Sequence, residues 1–289
     1  MNKLLAIIML LLAHAAWAAD ARSYVLTPVG TQLIQLREVY VDTTLKLADG
    51  SDLHQTNYSS QLRFTRYFDS AGQLGLLQIL VPYADSSMRF DNGLPDRSAA
   101  GLGDVVVTYG RGLWNSPALG NVAFDNFSQE GWSSGASLSL FVPTGDYDPR
   151  RQANPGQGRW AARGELQFAR RSGPVLLELL GNSTLYLDSQ GSGGAALHQS
   201  PLYTLEGHAS ADLDRRCWVS LDVAYQQGGD TELNGRTQDR ALRNWQAGST
   251  LLWRLSPDRI LKLAYNTTLA APLHAPRTST AYLELRYRW

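Results

Sequence analysis

Cysteine is almost absent from this sequence: one residue, Cys217, in a chain of 289. No intramolecular disulfide can form, and the thiol reads as structural. Charge is sparse too, at 18%, against about 25% in an average soluble domain. The signs cancel to a net charge of +0. That balance lacks the electrostatic footprint of a nucleic-acid binder, so no nucleic-acid partner is expected. Long apolar runs are missing beyond the first residues. The densest, "PVLLELL", is short and broken by Glu178, whereas a helix needs about 20 apolar residues to span a bilayer. No glycine loop cradles phosphate: "GSGGAA" (191–196) precedes no helix pattern and reads as flexible linker. His54, His198 and His274 fall in expected loops without metal-ligand spacing. No cofactor and no metal are expected.

What is present begins with an export signal. Lys3 supplies a positive start, Leu4 to Ala13 an apolar stretch, and Ala16-Trp17-Ala18 a small-x-small cleavage site. Residues 1–18 read as a signal peptide, and 19–289 as a single domain. An exported chain with no spanning helix is either soluble or a β-barrel, because only helices and closed barrels satisfy their backbone within lipid.

The remainder alternates. In "LYTLEGHASADL", Tyr203, Leu205, Gly207, Ala209, Ala211 and Leu213 share one face, and Thr204, Glu206, His208, Ser210 and Asp212 the other. Similar strands are expected near 33–46, 54–68, 73–83, 102–113, 134–142, 160–170, 174–187, 201–213, 217–226, 242–255, 259–269 and 279–289. These are about 12, mostly of membrane-spanning length. Tight turns at 69–72, 171–173, 214–216 and 256–258 alternate with longer polar segments. That asymmetry belongs to outer-membrane barrels, with short periplasmic turns and long external loops. Residues 114–133 break the rule: either a hairpin hides there or the periplasmic excursion is real.

A soluble sandwich or lipocalin-like barrel also alternates, but with its polar face outward. Here Tyr83, Tyr109, Trp160, Tyr225, Trp245, Trp253, Tyr265, Tyr287 and Trp289 lie near strand ends with the aliphatics, as interfacial girdles do. The chain also stops on "YLELRYRW". A strand that closes a barrel carries no tail. Leu285, Tyr287 and Trp289 have the alternate apolar pattern that the barrel-assembly machinery is thought to read. The expectation is an all-β, transmembrane antiparallel β-barrel of the bacterial outer membrane, in contact with its lipid.

One stretch is more specific: "FVPTGDYDPRRQANPGQGRW" (141–160), preceded by "GLGDVVVTYG" (101–110). The first resembles the P-T-G-x-Y-D-P-like turn and tryptophan-ended loop of the outer-membrane family called the meta-pathway of phenol degradation, often described simply as transporters. The second resembles that family's glycine-aspartate strand opening. The resemblance spans most of the mature chain, apart from 114–133 and 188–200. It implies passage or binding of small hydrophobic or aromatic compounds, and it carries over no residue roles.

The charged face, turned inward, would place Arg63, Asp104, Arg163, Glu165, Glu178, Glu206, His208, Asp212, Asp222, Lys262, Glu284 and Arg286 along a solute path, with Glu38, Asp42, Arg254 and Arg288 on the same face. The signs are mixed rather than ringed by one charge. Asp146, Tyr147 and Asp148 fall in an external loop, where Asp and Pro set turn geometry in preference to holding calcium. A non-enzymatic barrel for passive transport or binding of a small solute is expected. The alternatives are a lipid hydrolase using His208 and Ser210, oriented by Glu206 or Glu178, and a closed structural barrel.

Overall fold

The computed structural model describes residues 20–47, 49–151, 153–191, 194–237 and 241–289. The expected signal segment, 1–18, lies outside the described residues. The strands are β1 (Gln32–Lys46), β2 (Asp52–Ser70), β3 (Gln73–Phe90), β4 (Arg97–Leu102), β5 (Val105–Trp114), β6 (Gly131–Val142), β7 (Ala161–Ser172), β8 (Val175–Tyr186), β9 (Ser189–Gln190), β10 (Ala196–Gln199), β11 (Leu202–Asp212), β12 (Cys217–Gly228), β13 (Thr231–Leu233), β14 (Arg236–Thr237), β15 (Leu242–Arg254), β16 (Arg259–Ala270) and β17 (Arg277–Arg288).

The main sheet runs β2-β1-β17-β16-β15-β12-β11-β8-β7-β6-β5-β3-β4, and β2 also pairs with β3. The ring is therefore closed. β4 and β5 both pair with β3, so they are halves of one wall strand broken at Gly103-Asp104, and the barrel has twelve strands. Closure removes every edge, as lipid requires. Its seam is β1 against β17, extended by mutual backbone bonds between Gln32 and Trp289. Four short strands, β14-β13-β10-β9, form a separate sheet.

The alternation places apolar side chains outside. Ile34, Leu36, Leu62, Ile79, Leu138, Leu166, Leu177, Leu205, Leu221, Leu263 and Leu283 are all exposed. Gln35, Gln167, Asn182, Thr204, Gln226, Asn244, Asn266 and Thr280 are buried. This inversion excludes the soluble sandwich. The expected girdle aromatics stand outside as well, some paired across strands: Tyr225 and Trp245 have ring centroids 4.8 Å apart, and Tyr287 stacks on Trp289 at 5.7 Å.

Residues 114–133 hide no hairpin. Between β5 and β6 the chain makes an excursion containing a one-turn helix, Asn121–Asp125, at the end where β1 begins and β17 finishes. We call this the terminal end. Pro117 bridges to Gln73, and the Glu130 carboxylate accepts the Gly173 N–H of the β7–β8 turn at 3.0 Å.

Candidate functional site

The lumen is polar, and β register sorts its charges. Lys262 stands opposite Glu284, and Glu284 opposite Arg37. One row nearer the terminal end, Gln35 lies between Arg63 and Arg286. This is a basic wall across β2, β1, β17 and β16. Glu178 faces His208, and His208 faces Asp222. With Glu165 and Glu206 they form an acidic wall across β7, β8, β11 and β12. Arg163 faces inward beside it, its Nε donating to Thr184 Oγ1 at 3.1 Å. The mixed signs expected from sequence are thus segregated.

Between the walls lies the chain's own segment 20–31. Asp20 serves the basic wall: it pairs with the Arg37 guanidinium, sits 3.3 Å from Lys262 Nζ, and accepts the Tyr282 hydroxyl at 2.7 Å. Arg22 and Tyr24 serve the acidic wall. The Arg22 N–H donates to Glu178 at 2.8 Å, its Nε to Ser210 Oγ at 2.8 Å, and its Nη1 pairs with Asp212. Arg171 also holds Asp212, at 3.0 Å. The Tyr24 hydroxyl lies 2.8 Å from both Ser137 Oγ and Glu165 Oε1. Gly135 leaves room for the Tyr24 ring, since a Cβ there would stand 2.7 Å from it. Ala21 packs against Trp218 and Leu252. At its base the segment is tied by backbone bonds from Val29 to Leu119 and between residues 30–31 and Tyr67. It is a plug, and the excursion braces it. Below it opens a cavity of about 1220 Å³, lined among others by Asp20, Gln35, Arg63, Phe124, Phe127 and Arg286.

The sequence reading missed the plug, because residues 20–31 have no strand period. The signal available was two charges and a tyrosine immediately before the first strand. It also misplaced two residues. On β1 the inward positions are odd-numbered, so Glu38 and Asp42 face outward and Arg37 faces the lumen. Val39 and Val41 turn inward to pack with Tyr282. Glu38 accepts the Ser60 hydroxyl on the outer surface at 2.6 Å.

Two further placements differ from expectation. Asp104 serves a loop, not the open path. Its carboxylate accepts the N–H groups of Gly145 at 3.0 Å and Gln157 at 2.8 Å. Asp146 accepts the Leu102 N–H at 2.9 Å. A Cβ on Gly145 would approach the Gly103 carbonyl carbon to 2.6 Å, which explains glycine there. "GLGD" and "PTGDYDP" are therefore two halves of one device, folding loop 143–160 onto the break between β4 and β5. Tyr147 donates to the Gln190 carbonyl. Asp148 binds the side chain and N–H of Arg150, which hold its carboxyl down at about 2. Ala153 packs with Leu45, Leu47, Leu53, Met88 and Phe90 at the far end.

The second concerns the histidines. His54 lies on β2 and His198 on β10, not in loops. His54 gathers with Asp52 and Asp91, their ligand atoms within 4.8 Å of one another. Each side of that group already has a partner: Asp52 pairs with Lys46 at 3.1 Å and His54 Nδ1 meets Thr44 Oγ1 at 3.3 Å.

His208 and Ser210 are not joined as a nucleophile and base. His208 Nδ1 lies 2.7 Å from Asp222 Oδ1, while the Ser210 hydroxyl donates to the Leu176 carbonyl at 3.3 Å and receives Arg22. Both face the lumen, away from lipid. The orienting carboxylate is Asp222, not Glu206 or Glu178. Glu206 accepts the Asn182 amide at 3.2 Å and lies 3.9 Å from His208 Nε2, beyond hydrogen-bond reach.

Comparison with known proteins agrees with this architecture. The family described as "Putative MetA-pathway of phenol degradation" matches residues 42–282. An outer membrane channel from Pseudomonas putida F1 superposes with a TM-score of 0.81 at 20% identity, over 94% of this chain and 100% of that one. The translocator domain of the autotransporter NalP from Neisseria meningitidis gives 0.53 at 8% identity, over 91% and 90%. The KdgM porin, in complex with disordered oligogalacturonate, gives 0.50 at 9%, over 88% and 98%. These likenesses show the fold, an outer-membrane barrel. No curated protein matches the chain.

Proposed function

The chain belongs to the phenol-degradation MetA-pathway family, and from that premise we propose that it is a passive, non-enzymatic route for small solutes across the outer membrane. One observation carries the reading. The lumen is largely polar through its middle, and what closes it there is a segment held through side chains: residues 20–26 make no backbone-to-backbone bond with a barrel strand among the described residues, and the Arg22 N–H reaches a side chain, Glu178. Such a segment can withdraw without unzipping the wall. The apolar residues within the far end, Leu202, Leu242 and Ala275 on one side and Leu53, Met88 and Phe90 on another, suit a solute with an apolar body. The inward-facing residues named from sequence would line its path, apart from Asp104. Short turns at the terminal end support a plug in the periplasmic half and loop 143–160 on the outside. Leu285, Tyr287 and Trp289, all outward-facing at the seam, would present the assembly signal during insertion.

The test is uptake of a labelled small aromatic solute by intact cells. Cells producing the wild-type barrel should take it up faster than cells without it, and a deletion of residues 20–30 should be faster still. Equal uptake in all three would leave a closed structural barrel as the better reading.

A further inference from the structure

The basic wall holds more cation than its own anions balance. Arg37 Nε donates to Glu284 at 2.7 Å, and Arg286 pairs with the same carboxylate. Lys262, 1% exposed, lies opposite Glu284 and makes its one ion pair among the described residues with Asp20, at 3.3 Å. Four cations, Arg37, Arg63, Lys262 and Arg286, thus share two carboxylates, Asp20 and Glu284. Arg63 is the one left out. Among the described residues its guanidinium makes no hydrogen bond and no ion pair, although its Nε is shut from water. Its neighbours across the sheet are Gln35, whose amide nitrogen donates no hydrogen bond among the described residues, and beyond it Arg286. A buried guanidinium Nε without an acceptor is costly to leave so, and the rest of the Arg63 head opens into the lumen, where an incoming anion can reach it.

All three residues line the 1220 Å³ cavity beneath the plug. Aromatic side chains also line that cavity: Phe124 and Phe127 of the excursion, Tyr67 of β2 and Trp218 of β12. Guanidinium and amide donors in a cavity lined in part by aromatic rings match one ligand chemistry: a planar anion on an apolar body. The chain supplies its own example, since the Asp20 carboxylate already occupies the neighbouring stretch of this wall.

We propose that Arg63, Gln35 and Arg286 bind the carboxylate of a small organic acid with an apolar body, and that Asp20 of the plug competes for the same cations. The inference rests on the transport reading only in setting such a ligand in the lumen. An arriving carboxylate takes up the unpaired guanidinium, draws on Arg286 and Lys262, and so weakens the hold of Asp20.

The experiment is calorimetric titration of the full-length, detergent-solubilised barrel with benzoate, benzyl alcohol and inorganic phosphate. Benzoate should bind saturably, and about tenfold or more tighter than either control, as a charge-assisted contact requires. Arg63→Gln should remove the preference of benzoate over benzyl alcohol, in a variant that still migrates as the folded, heat-modifiable barrel. Asp20→Asn, outside the wall itself, should tighten benzoate. Absence of saturable benzoate binding, binding undiminished in folded Arg63→Gln, or benzoate unchanged by Asp20→Asn each overturns the site. Phosphate binding as well as benzoate overturns the organic-acid class. Binding is read without flux: a barrel that binds benzoate but passes no solute retires the transport reading and keeps the site, and the converse does the reverse.

Discussion

The two charged walls of the lumen differ in how far they are finished. On the acidic side nearly every carboxylate has its donors: Glu178 the Arg22 N–H, Glu165 the Tyr24 hydroxyl, Glu206 the Asn182 amide, and Asp222 the Ser220 and Thr250 hydroxyls as well as His208. Most of those donors are neutral; the barrel supplies them to Glu206 and Asp222, the plug to Glu178 and Glu165. On the basic side charge meets charge, two carboxylates serve four cations, and Arg63 is unserved. Carboxylates satisfied by neutral groups, as on this wall, offer no free charge to an entering anion. A wall whose cations outnumber their partners is responsive to an incoming anion. The plug joins the two, using one carboxylate toward the basic side and a guanidinium and a phenol toward the acidic side.

Breaking the basic side should cost most. Glu284 is 0% exposed and holds both Arg37 and Arg286. Removing it by Glu284→Ala should destabilise the barrel by about 3–5 kcal/mol, the usual cost of stranding a buried ion-pair partner. Urea unfolding of the barrel in lipid vesicles measures this. On the acidic side, Glu178→Gln keeps an acceptor for the Arg22 N–H. It should cost about 1 kcal/mol in the same assay, the scale of one ordinary hydrogen bond. If Glu178→Gln proved as damaging as Glu284→Ala, the contrast between the walls would collapse.

The smallest effect lies outside the lumen. The Asp148 carboxyl, held at about 2 by Arg150, is depressed below its ordinary value near about 4. Its contribution to loop 143–160 is therefore present above about pH 4 and is lost as pH falls through about 2. Protease sensitivity of the loop should rise over that window, and Asp148→Asn should flatten the response.

Much of this was legible in the chain, for a physical reason. A membrane strand alternates strictly because one side meets lipid and the other water, so β11, β12, β15, β16 and β17 could be read face by face. The same rule fails where both faces carry mixed residues. On β1, Glu38 and Asp42 look as luminal as Arg37, and only the contact of Val39 and Val41 with Tyr282 decides. The plug has no period at all, because its position is set by partners as distant in sequence as Glu165, Asp212 and Tyr282. The resemblance to family motifs named "GLGD" and "PTGDYDP" separately. That one caps the other appears only when the loop is seen folded back onto the strand break.

The central claim is that residues 20–26 close the lumen and can leave it. The most direct test is to tether them. With Cys217 replaced by serine, Ala21→Cys and Leu252→Cys place two thiols at a packed contact. Single-channel conductance in planar bilayers would then be compared before and after reduction. The account predicts a closed or minimally conducting barrel when the disulfide is formed, and a clear rise in conductance when it is reduced. Equal conductance in both states would contradict it.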